Sequence, residues 1–201
     1  MPDTPVPEVD QGITAPGSNC IPASTERARG LVTRVLDGDS IEVVIGNDSF
    51  RIRYIGLDAP GIIPTIEWQG PQAISANDKM VSGQFVTLIR DVSDADANGL
   101  LPRYVVVGNL FVNYELIRQG YAKAASAQPD TACDINFLQA QGEAQVAILG
   151  VWVPTPIPSA TITPTPTITP VPTATLQPVC DCRANLTCND FSTQSAAQAC
   201  L

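Results

Sequence analysis

Apolar and polar residues alternate from Gly30 to Leu36, the two-residue period of a half-buried strand. Asp37-Gly38-Asp39 then supplies a turn, Ile41 to Ile45 a second strand, Gly46-Asn47-Asp48 a second turn, and Phe50 to Leu57 a third strand. From Pro71 to Val81 the pattern predicts a helix with Pro at an early position, where its missing N–H costs nothing. Two further strands fit Phe85–Arg90 and Arg103–Val107. Val112–Gln119 reads as a short helix stopped by Gly120. Phe137, Ala140, Ala144, Ala147 and Ile148 recur at helical spacing and predict a last helix of about fifteen residues. Five short strands with helices grouped around them describe a small closed barrel, for which an OB-fold is a leading candidate.

Nearly all of this periodicity lies between residues 20 and 153 of a 201-residue chain. Residues 1–19 are polar and Pro-rich and read as a disordered leader. Residues 154–178 contain eight Pro and eight Thr and no charge, a composition that favours an extended polyproline stalk. Residues 179–201 form a Cys-rich tail too small to fold without staples.

The six cysteines, Cys20, Cys133, Cys180, Cys182, Cys188 and Cys200, point to disulfides in an oxidising compartment, and so to an extracellular or cell-surface protein. Cys20 and Cys133 bracket the periodic segment and are the pair expected to join. Met1 to Asp10 has neither the basic nor the apolar region of a signal peptide. No stretch reads as a membrane span, since the longest uncharged one is the Thr/Pro segment. The net charge of −9 disfavours nucleic acid as a partner, because Lys and Arg against phosphates supply most of that affinity.

Five blocks carry a resemblance. They are Val35 to Ile41 (VLDGDSI), Arg53 to Pro60 (RYIGLDAP), Gly70 to Ala73 (GPQA), Val112 to Ala122 (VNYELIRQGYA) and Gly150 to Trp152 (GVW). In this order and spacing, residues 30–152 resemble the staphylococcal nuclease (thermonuclease) family. The tail from Cys188 to Cys200 resembles the opening of an Excalibur-type extracellular module. The first resemblance implies a five-stranded OB-barrel with three helices, an α+β fold, and calcium-dependent hydrolysis of DNA and RNA phosphodiesters. It implies that Asp39, Asp58 and the carbonyl of Ala59 hold the cation, and that Arg53 is a catalytic arginine.

Against the same pattern, Gly61 stands where the family has its general base, and Leu100 where it has a second arginine. Ala97 and Asn98 replace a Lys and a Tyr of the nucleotide site, and Ala125 to Pro129 lacks two stacking tyrosines. Loss of a general base alone costs about 10²–10⁴ in rate. Glu67, six residues beyond Gly61, is the alternative acceptor in that loop. Asp37 reads as a turn residue, and Asp39 with Asp58 either as turn residues or as a weak Ca2+ site. Asp94 to Gly99 opens like an EF-hand loop but has Val105 where the bidentate Glu belongs, so it reads as a polar loop.

The leading expectation is a module that has lost nuclease activity and binds a protein or a glycan, or associates with itself. A working calcium-dependent nuclease and a non-catalytic nucleic-acid binder stay as alternatives.

Overall fold

A computed structural model describes residues 13–155. In chain order the elements are β1 (Arg27–Asp37), β2 (Ser40–Ile45), β3 (Asp48–Tyr54), β4 (Leu57–Asp58), α1 (Gly70–Val81), β5 (Phe85–Ile89) and β6 (Leu101–Val107). They continue as β7 (Leu110–Phe111), α2 (Val112–Arg118), β8 (Lys123–Ala124) and α3 (Asp134–Val146).

The alternating strands close on themselves. Their order is β3-β2-β1-β5-β6, and a parallel pairing of β3 with β6 completes the barrel. β1 serves two neighbours, pairing with β5 from Arg27 to Leu31 and with β2 from Leu31 onward. Register shifts between Val32 and Arg34 and between Val35 and Asp37 bend it enough to do so. Val32, Ile41, Val43, Ile52, Val86, Leu88 and Val105 are all buried in the resulting core. Tyr104, Phe111 and Phe137 form an aromatic cluster beyond the barrel, with ring centroids 5.7–6.2 Å apart. This is the five-stranded barrel with three helices of the expected fold class.

A buried asparagine fixes the join between β6 and α2. The Oδ1 of Asn113 accepts the N–H of Val105 at 2.8 Å, and its Nδ2 donates to the carbonyl of Ile55 at 3.0 Å. Cys20 and Cys133 are bonded, tying the segment before β1 to the start of α3.

Three sequence expectations need correction. The leader assigned to residues 1–19 is packed from Ile13 onward. Ala15 and Ser18 are buried, Gly17 approaches the Tyr114 ring, and Asn136 Nδ2 donates to the carbonyl of Gly17 at 2.9 Å. Short polar residues hid a segment that the disulfide anchors. The strand expected through Leu57 breaks after Tyr54, because Gly56 takes φ 78° and leaves no room for a side chain beside the Phe137 ring. Finally, α3 ends at Val146, and Ile148 lies exposed in the left-handed region at φ 52° rather than on the helix's core face. The leader up to residue 12, the stalk from residue 156, and the tail with Cys180, Cys182, Cys188 and Cys200 lie outside the described residues.

Candidate functional site

The site forms where β1 turns into β2. Asp37 ends β1, and its Oδ1 accepts the N–H of Gly38 at 2.8 Å, which makes it a turn residue as expected. Asp39 follows and is buried. The β2–β3 register sets Ser40 opposite Arg53, so the Arg53 guanidinium reaches back to the turn. Its Nη2 lies 3.0 Å from Asp39 Oδ2 and 3.6 Å from Asp58 Oδ1. The N–H of Ala59 donates to the same Asp39 oxygen at 3.4 Å. Asp39, Arg53, Asp58 and Ala59, scattered over twenty residues of sequence, therefore meet in one place.

Electrostatics and bracing follow from this packing. Burial pushes the Asp39 carboxyl up to about 6, against the opposing pull of Arg53 and of the Ala59 N–H. Asn77 on α1 supports the turn from behind. Its Nδ2 donates to the carbonyl of Asp37 at 2.9 Å, and its Oδ1 accepts the Tyr54 hydroxyl at 2.8 Å. Sequence reasoning missed Asn77 as a bracing residue. The available signal was a polar residue on the stripe of α1 that also carries Ala73, Ala76 and Val81.

Asp39, Asp58 and the carbonyl of Ala59 are hard oxygen donors, chemically suited to a cation such as Ca2+, which takes six to eight oxygens. Among the described residues no three His, Cys, Asp or Glu side chains group to hold a metal. A cation here would draw most of its ligands from water or from a bound molecule.

Gly61 lies beside this set. A Cβ built on it would sit 3.5 Å from Asp37 Oδ2, so the position has room for a side chain and lacks one. The loop beyond is closed by Glu67, whose Oε2 accepts the Gly61 N–H at 2.9 Å. The Glu67 N–H in turn donates to the Gly61 carbonyl at 3.0 Å. Glu67 is thus a clasp. Leu100 directly precedes the β6 residues that pair with β3, where Leu101 faces Ile52 and Pro102 faces Arg53. A residue at position 100 is therefore close to the strand of Arg53, and an aliphatic one brings no charge.

Other polar groups nearby are engaged elsewhere. The Arg103 guanidinium donates to the carbonyls of Ser93, Asp94 and Pro102 and to the Asp94 carboxylate. It does not replace an arginine at position 100. Asp96 Oδ1 accepts the N–H groups of Asn98 and Leu100, an Asx-turn that explains the EF-like opening as loop structure. Arg118 pairs with Glu115, and Lys123 lies over the Trp152 ring at 5.7 Å. Between Ala125 and Pro129, Ser126 donates to Asp134, and no aromatic side chain is present.

The family model described as staphylococcal nuclease homologue matches residues 51–154. The chain is 33% identical to a thermonuclease of Staphylococcus intermedius over 125 residues, 61% of this chain and 74% of that protein. It is 29% identical to a thermonuclease of Staphylococcus hyicus over 124 residues, 60% of this chain and 73% of that one. Its identity to the endonuclease YncB of Bacillus subtilis is 28% over 124 residues, 59% of each chain. The barrel, its closing register and these likenesses agree: the chain belongs to the staphylococcal nuclease family.

Proposed function

We propose that this domain is an extracellular or cell-surface binding or structural module that has given up phosphodiester hydrolysis. The observation that carries this reading is Gly61. It offers no proton acceptor where the family resemblance places the general base, and the carboxylate that could stand in for it, Glu67, is held in a reciprocal backbone clasp. Removing a preorganised charge stabiliser costs about 10²–10³ in addition, and Leu100 stands at that position. The extracellular part of the reading draws support from the Cys20–Cys133 disulfide.

A second reading, a working calcium-dependent nuclease, has two supports. Relatives of this chain are named as nucleases. Asp37 Oδ2 also lies within reach of the space a side chain at Gly61 would enter.

Single-stranded DNA cleavage in calcium and in EDTA separates the two. The module reading expects no metal-dependent cleavage from the native chain, and measurable cleavage once Gly61→Glu and Leu100→Arg are introduced together. Calcium-dependent cleavage by the native chain, lost in Asp39→Ala, would overturn it and make Asp37→Asn the next variant.

A further inference from the structure

Helix α3 is apolar on two opposite sides. With about 3.6 residues per turn, Phe137, Ala140 and Ala144 fall on one side and are buried in the core. Ile135, Leu138, Gly142 and Val146 fall on the other, spaced three, four and four residues apart along a single stripe. Ile135 is 80% exposed, Leu138 60% and Val146 87%, so no described residue covers this stripe. A helix that only roofs its own core carries polar or charged residues there. Large apolar groups gathered in their place mark a contact surface.

Gly142 gives the stripe its shape. A glycine in mid-helix costs stability relative to alanine, and a Cβ built on this one meets nothing within 4 Å. The packing of a single copy therefore has no use for a glycine here. Its missing side chain leaves a notch one turn from Leu138 and one turn from Val146. A second copy of α3, turned antiparallel about a two-fold axis level with Ala140, puts each Leu138 into the Gly142 notch of the other. Ile135 then meets Val146 at both ends, to within about one residue of helix rise, ~1.5 Å.

Charge does not oppose this pairing. The helix has two charged residues and both stand off the stripe. Asp134 accepts the Ser126 hydroxyl, and Glu143 lies close enough to Tyr114 and Arg118 of α2 to act on both. In a chain of net charge −9, an uncharged stripe is a place where two copies can approach. A lipid surface suits it less, because interfacial helices flank their apolar side with Lys and Arg, and α3 has neither.

We propose that two copies of this chain associate through α3, antiparallel, with Leu138 of each seated on Gly142 of the other. The proposal goes beyond the reading of the Asp39 site and holds whether or not that site hydrolyses. Ile135, Leu138 and Val146, with Ile148 just past the helix end, expose the equivalent of nearly three whole side chains per copy. With their polar rims, two copies bury on the order of 1,000 Å², the lower limit of a specific interface, so the dimer is a weak and reversible one.

The test is sedimentation velocity of the full chain over about 1–300 µM, the affinity range of a small interface, after removal of any covalently linked species. The native chain is expected to pass reversibly from monomer to dimer. Leu138→Glu with Val146→Glu is expected to weaken association at least about tenfold, with an unchanged melting temperature because both side chains are exposed. Gly142→Leu separates a fitted dimer from loose apolar adhesion, since it adds apolar surface yet fills the notch. It is expected to weaken the dimer at least about tenfold while the melting temperature holds or rises, leucine being the better helix former. A chain that stays monomeric at every concentration overturns the proposal. So does association unmoved by the paired glutamates, or association strengthened by Gly142→Leu. DNA cleavage decides the reading of the Asp39 site separately from all of these results.

Discussion

The Glu67 carboxylate accepts the Gly61 N–H at 2.9 Å while the Gly61 carbonyl accepts the Glu67 N–H at 3.0 Å. This reciprocal pair turns the loop after Asp58 into a closed unit and gives Glu67 a structural role. Glu67→Ala removes a solvent-exposed charge-assisted bond worth up to about 1 kcal/mol and is expected to lower the melting temperature by a few degrees at most. In a chain carrying Gly61→Glu and Leu100→Arg, Glu67→Gln is expected to leave the restored cleavage within a few-fold. A loss of a hundredfold or more there would show Glu67 to be a base.

Burial sets the pH behaviour of Asp39. Its carboxyl is pushed up from 3.8 to about 6, so the folded chain holds this proton more tightly than the unfolded chain does. Stability from this group is therefore greatest at low pH and declines as pH rises from about 4 through 6. The full effect is on the order of 3 kcal/mol. Asp39→Asn is expected to melt above the native chain at pH 8, with the gap closing near pH 4. Thermal melts across that range check it, and a gap independent of pH would sink the assignment. Calcium is expected to raise the native melting temperature at pH 8 and leave that of Asp39→Asn unchanged.

The bond between Cys20 and Cys133 spans a sequence separation of 113 residues. A loop of that length restrains the unfolded chain by about 4–5 kcal/mol on the chain-entropy account. Replacing both cysteines by Ala is expected to lower unfolding free energy by a few kcal/mol in urea titration. It is also expected to release residues 13–19, read as proteolysis before Cys20 that the native chain resists.

Asn113 satisfies three backbone groups at once, through the Val105 N–H and the carbonyls of Ile55 and Arg103. Asn113→Ala strands the Val105 N–H and the Ile55 carbonyl in a buried place, at about 1–3 kcal/mol for each group left unpaired, while the Arg103 carbonyl keeps the Ile55 N–H at 3.1 Å. A loss of at least 2 kcal/mol in chemical denaturation is expected. A neutral result would mean that water replaces the amide.

The strands were legible because alternation has a period of two and turns need particular residues. Gly30 to Leu36, Ile41 to Ile45 and the Asp37-Gly38 turn all appear close to where the pattern puts them. Ile148 failed because helical spacing says nothing about where a helix stops, and Ala147 already caps α3. The segment before Cys20 failed because its contacts are to Tyr114 and Asn136, more than ninety residues away.

The candidate site divides the same way. Sequence alone determined the residue types, including the acids at 39 and 58, the arginine at 53, and the glycine and leucine at 61 and 100, because chemistry belongs to side chains and their order is given. Only the tertiary structure decided what those groups do to one another. The β2–β3 register brings Arg53 onto Asp39, and burial raises that carboxyl. The clasp commits Glu67 to Gly61 and holds Ile63 and Ile66 in solvent. Distance and desolvation depend on the closed barrel, and a one-dimensional pattern carries neither.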